Sequence, residues 1–168
     1  MKPSFPHVTR ILEKKAVRNL FRISLLALAS PLVAHDLTAT RLDTGTEIAR
    51  IAVPEGTGWC ILWNHSVQLF PVTDCYENRG GAMVLTRSHQ PDFAAGLGHL
   101  NGRGTQTSDG AGGYWIEGID EPVPGNAYIL RPGGPAVDHR ITTTAATVSL
   151  STAAPRARVR IALEEPGS

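Results

Sequence analysis

From residue 36 onward the chain is cut into short alternating runs by Gly, Pro, Asn and Asp, and no convincing amphipathic helix interrupts them. That punctuation constrains the fold more than any other feature. A run that alternates apolar and polar residues buries one face of a strand, and the next turn residue sends the chain back. Strands are expected at 37–42, 47–53, 58–67, 72–76, 82–89, 113–118, 127–131, 137–142, 146–151 and 157–163. In 82–89 the alternation is strict, with Met83, Leu85 and Arg87 opposing Val84, Thr86 and Ser88. About 8–10 short strands at such spacing predict an all-β antiparallel sandwich or open barrel. Only 94–112 breaks the rhythm, where Gly96, Gly98, Gly102, Gly104, Gly110 and Gly112 read as a long surface loop.

At 168 residues and 42% hydrophobic content, the chain can build one domain, 35–168, with a real core. The formal net charge of +1 hides a division. Residues 1–34 carry six basic and one acidic residue (6 − 1 = +5), which leaves ten and fourteen for the rest (10 − 14 = −4). A net-acidic body without a basic patch is unsuited to displacing counterions from nucleic acid. Residues 1–34 read as a signal peptide forming a helix. Lys14, Lys15, Arg18 and Arg22 precede an apolar run, 23–34, that is shorter than the ~20 residues needed to span a bilayer. Two small-residue cleavage sites compete, after Ala29 and after Ala34, the second leaving the more usual apolar length. The alternative is an uncleaved anchor, which would be the only membrane contact. Either way the body is expected in the periplasm or another extracytoplasmic space, where Cys60 and Cys75 can oxidise.

The chemistry-bearing residues concentrate in Trp63-Asn64-His65-Ser66-Val67 and Pro71-Val72-Thr73-Asp74-Cys75-Tyr76. Strand alternation sends His65 and Ser66 to opposite faces, so they are no nucleophile–base pair, and no Gly-x-Ser-x-Gly elbow exposes a serine. Two hairpin registers compete. With Val67 opposite Val72, His65 faces Asp74 and Trp63 faces Tyr76, which makes a polar pocket with aromatic walls. With a tighter turn, Cys60 faces Cys75, a disulfide becomes available, and His65 leaves Asp74. Pro71 lacks the N–H for a ladder bond and so favours the first register. A metal would need further ligands from Asp92, His89, His99 or His139, and no two histidines show ligand spacing, so no metal or other cofactor is expected.

The order of these motifs resembles the bacterial domain-of-unknown-function family DUF1850. Members are similar in having a signal segment, an aromatic-x-His-Ser-Val strand end, a Pro-aromatic/Val-x-Glu/Asp-x-Tyr strand, a glycine–alanine turn and a Gly-Tyr-Trp/Tyr strand. The matching residues here are Trp63 to Val67, Pro71 to Tyr76, Phe93 to Gly98, and Gly113-Tyr114-Trp115. The likeness covers roughly residues 36–163. The chain departs from it with Asp74 in place of the more usual glutamate, with Asn64 before the histidine, and with its two cysteines. The resemblance implies no activity. It implies a small extracytoplasmic protein of the kind often encoded beside tripartite ATP-independent periplasmic (TRAP) transporter permeases for organic acids.

The expectation is therefore a non-enzymatic exported accessory module that binds a small organic acid or a transporter component. His65, Ser66, Asp74, Tyr76 and Trp63 would form its site, with Gly96 and Gly98 in a loop closing over it. A metal-assisted or His/Asp acid–base hydrolase using the same residues is one alternative. A purely structural envelope protein, with the cluster as core, is the other.

Overall fold

The structure, a computed structural model, describes residues 34–67, 69–91 and 102–168. The expected export segment up to residue 33, together with Asp92, Gly96, Gly98 and His99, lies outside the described residues. Eleven strands are described: β1 (Ala34–Arg41), β2 (Glu47–Pro54), β3 (Gly58–Asn64), β4 (Pro71–Arg79), β5 (Ala82–Gln90), β6 (Thr105–Ser108), β7 (Tyr114–Pro122), β8 (Ala127–Leu130), β9 (Arg140–Thr142), β10 (Thr147–Ser149) and β11 (Val159–Glu164). They form two antiparallel sheets, ordered β2-β1-β11-β8 and β10-β9-β3-β4-β5-β7-β6. The fold is all-β, as the punctuation requires, and it is an open sandwich: neither sheet pairs its edges into a barrel.

The core follows from alternation. Leu37 and Ala39 of β1 pair with Leu163 and Ile161 of β11, and all four are buried on one face of the smaller sheet. Trp59 and Ile61 of β3 and Met83 of β5 face them from the larger sheet, joined by Ile141, Leu150 and Val159. The Trp59 ring stacks on Tyr76 with centroids 5.7 Å apart. Each such side chain contributes roughly 1.5–3 kcal/mol on leaving water.

Three local departures from the sequence pattern have identifiable causes. In β5 the strict alternation fails, because a bulge shifts the β4–β5 register between Cys75 and Tyr76. Thr86 is the extra residue, and its hydroxyl donates to the Cys75 carbonyl at 3.1 Å. Leu85 therefore pairs with Tyr76 on the inner face, and Ser88, rather than Arg87, pairs with Asp74. Within the glycine-rich stretch, residues 105–108 form β6 on β7 instead of remaining loop. Its turn is closed by the Asp109 carboxylate, which accepts from the N–H groups of Ala111 at 2.7 Å and Gly113 at 2.9 Å. Finally, the strand expected at 146–151 stops at Ser149, whose hydroxyl accepts from the Thr152 N–H at 3.2 Å and caps a one-turn helix, α1 (Leu150–Ala153).

The β4–β5 turn is tied to the rest of the fold through a buried amide. Asn78 is fully buried, donates to the Val53 carbonyl at 2.8 Å and accepts from the Gly81 N–H at 2.9 Å. Gly81 has φ +80°, and a Cβ there would lie 2.7 Å from His35 Nε2, so both backbone conformation and space demand glycine.

Candidate functional site

The β3–β4 register decides which side chains meet. Cys60 lies opposite Cys75, Ile61 opposite Asp74 and Trp63 opposite Val72. This is the tighter-turn register, and it overturns the one that Pro71 favoured. The reason is local. His65 N–H donates to the Phe70 carbonyl at 2.8 Å, which makes the next pair, Asn64 and Pro71, a non-hydrogen-bonded one. At such a position the backbone nitrogen points away from the partner strand, so proline forfeits no bond in this ladder. The Asn64 N–H accordingly points outward, donating to the Val137 carbonyl at 2.7 Å. Four residue pairs further on, Cys60 and Cys75 form a disulfide across another non-hydrogen-bonded pair, their Cα atoms 4.0 Å apart.

The expected His65–Asp74 pair is therefore absent. His65 sits on the connecting loop, its ring stacked on Phe70 at 4.8 Å and its Nδ1 accepting from the Val67 N–H at 3.4 Å. Ser66 is exposed at the loop tip. The expected Trp63–Tyr76 facing is also replaced: Tyr76 lies opposite Trp59, and Trp63 stacks parallel to His139 at 5.7 Å. The hydrolase reading built on His65 and Asp74 loses its pair for the same reason.

Three of the expected site residues nevertheless converge. Trp63, Asp74 and Tyr76 line a cavity of about 210 Å³ between the sheets, with Ile61, Tyr128, Leu130 and His139. β3 and β4 supply one wall, the edge strand β8 supplies the other, and the segment before β9 closes one side with His139. Tyr76 and Tyr128 stack at 5.5 Å and separate this space from a second cavity of about 150 Å³, lined by Leu85, Glu121 and Pro122 among others. The crevice lies where the smaller sheet ends at β8 while the larger one continues into β5, β7 and β6.

The electrostatics of the crevice are those of buried, incompletely matched polar groups. Burial holds the Asp74 carboxyl above its ordinary range, against the opposing pull of the Ser88 hydroxyl and the Arg103 charge. Burial and the neighbouring Asp74 charge push Tyr76 up to about 12. Burial also raises Tyr128 well above its ordinary value, and among the described residues its hydroxyl oxygen has no hydrogen bond of good geometry. The Tyr76 and Tyr128 hydroxyls lie close enough for their mutual interaction to pull Tyr76 down and push Tyr128 up, although no hydrogen bond of good geometry joins them. His139 Nδ1 accepts from the Gly133 N–H at 3.2 Å, which fixes the neutral ring as its Nε2–H tautomer. Burial lowers its pKa and keeps it neutral.

Two other features compete for attention. A wider depression of about 430 Å³ lies over the disulfide on the outer face of the larger sheet, lined by Thr86, Thr142, Thr143 and Thr144 with Glu77 and Arg87. It is larger and shares Tyr76 with the inner crevice, but Asp74 and His139 line the inner crevice alone. A histidine–carboxylate pair does exist, between His89 and Asp109 at 2.8 Å, with the His89 ring 4.9 Å from Trp115. Sequence reasoning missed it because Asp109 belongs to a turn inside the glycine-rich stretch. Among the described residues no group of three or more His, Cys, Asp and Glu is placed to hold a metal ion.

The family model described as Domain of unknown function (DUF1850) matches residues 60–150, more than half of the chain. The chain belongs to the DUF1850 family. No curated protein and no solved structure matches it. The matched region of this DUF1850 protein begins at Cys60 and runs through β3 to β10, so every residue lining the crevice lies inside it. Of these residues, Tyr128 and Leu130 fall in the strand expected at 127–131, but the apolar Ile129 between them left its inner face open. His139 fell inside the strand expected at 137–142, but β9 begins only at Arg140, so His139 comes from irregular chain whose direction alternation does not set.

Proposed function

We propose that this DUF1850 protein is an extracytoplasmic, non-enzymatic binding module that takes a small solute into the crevice between its two sheets. One observation carries the reading: the buried Asp74 carboxyl lines an aromatic-walled cavity together with Tyr128, whose buried hydroxyl has no hydrogen bond of good geometry. A buried polar atom without a partner costs about 1–3 kcal/mol, and a ligand that supplied the partner would recover that energy as affinity. The disulfide suits an oxidising compartment, and the export segment read from residues 1–34 would deliver the chain there. A transport system is the partner class that the motif resemblance favours, with the module handling solute outside the membrane.

Thermal-shift measurement on the oxidised protein tests this. A solute held at a hundredfold excess over its Kd stabilises by about 2.7 kcal/mol, which moves the midpoint by several degrees. The shift is expected with wild type and is expected to shrink in Tyr128→Phe. If amines, organic acids and other small polar solutes all leave the midpoint unmoved, the crevice is core and the protein is structural.

A further inference from the structure

We propose that the solute is a small organic cation, a protonated amine whose ammonium group sits against Asp74 and is boxed by the rings of Trp63, Tyr76 and Tyr128. This rests on the crevice being a binding site and adds the chemical class it selects. The lining supplies one acid, three aromatic rings and one neutral imidazole, and among the described residues no cation. Aromatic faces attract positive charge, most strongly when water is excluded. An anion in the same space would meet the Asp74 carboxylate with no lining charge to offset it.

Among the described residues, the cation whose charge acts on Asp74 is Arg103, and it is already engaged. Arg103 reaches Asp74 only through its field, while its Nε and Nη2 both lie 2.9 Å from Glu121 Oε2. His139 does not substitute for it, since its Nδ1 is occupied as an acceptor by Gly133 and its ring is neutral. The carboxyl is thus buried without a charged partner in the lining, and a ligand ammonium would supply one. Tyr128 narrows the class further. Its hydroxyl oxygen can accept a hydrogen bond, which an amine N–H can donate and a quaternary ammonium cannot. Beyond the Tyr76–Tyr128 pair the second cavity is lined by Leu85, Pro122 and Val123, with Glu121 at its edge, which accommodates an alkyl tail.

Calorimetry and thermal shift on the oxidised full-length protein, with propylammonium, tetramethylammonium and succinate as probes, decide the matter. Propylammonium is expected to bind and stabilise, tetramethylammonium to bind at least tenfold more weakly, and succinate not at all. Asp74→Asn, which preserves shape, is expected to weaken propylammonium at least tenfold. Tyr128→Phe is expected to narrow the gap between the two cations, and it serves as the second variant if Asp74→Asn does not fold. His65→Gln, on the outer loop, is the control and should bind as wild type does. Stabilisation by succinate but not by propylammonium would overturn the cation assignment and leave the binding site standing. Propylammonium binding that Asp74→Asn and Tyr128→Phe both leave unchanged would place it elsewhere and overturn the assignment too. No binding by any of the three probes would overturn the cation assignment, and the binding reading falls with it if the wider screen of small polar solutes also leaves the midpoint unmoved.

Discussion

At the scale of single residues, burial changes the chemistry of the Asp74 carboxyl. Its folded carboxyl keeps its proton to higher pH than in the unfolded chain, because burial disfavours the charge. The folded state then binds the proton more tightly. Asp74 therefore favours folding most below its unfolded pKa, and that contribution is lost as pH rises through the folded one. Asp74→Asn removes this titration. The variant is expected to melt above wild type at neutral pH and to converge with it below about pH 3. Melting curves across that range check it, and a variant melting below wild type at neutral pH would contradict it. His65 contrasts with Asp74. It lies on the β3–β4 loop outside the cavity, so His65→Gln is expected to change stability by no more than about 0.5 kcal/mol in chemical denaturation.

Individual elements carry the next level of the argument, and the β3–β4 hairpin is the clearest. Its disulfide closes a separation of 15 residues, for which chain entropy alone predicts about 3 kcal/mol. Replacing both cysteines with alanine is expected to lower unfolding free energy by about 2–3 kcal/mol in urea, and adding reductant to wild type should reproduce the loss. The β4–β5 turn depends instead on Asn78. Asn78→Ala strips partners from the Val53 carbonyl and the Gly81 N–H in a buried site, at an expected cost of about 2–3 kcal/mol in the same assay. Both strands of this hairpin were legible in sequence, and so was its turn of Asn and Gly. The Thr86 bulge was not. Alternation alone put Arg87 with Leu85, and only pairing with both neighbours shows that one residue is extra. That bulge turns Ser88 toward Asp74 and leaves Arg87 outside, with its guanidinium 4.6 Å from the Trp115 ring centroid.

For the whole molecule, the amino-acid sequence determined the class. Turn residues at short intervals with alternating runs between them admit only a β architecture, and apolar alternation determined which face of β1, β3 and β11 forms the core. The same alternation put Trp63 on the inner face. Tertiary structure decided everything that depends on partners distant in the chain. The strand order, with β11 beside β1 and β9 beside β3, follows from which apolar faces can be covered at once rather than from any local signal. Hairpin register turned on whether Pro71 falls at a hydrogen-bonded or a non-bonded rung, and a count along one strand leaves that open. The crevice itself exists because the smaller sheet stops at β8, which brings Tyr128 against Tyr76 and His139 against Trp63. Periodicity places a side chain on a face because the backbone repeat is local. Which other face it meets is set by how both sheets close over a shared core, and that is a property of the folded chain as a whole.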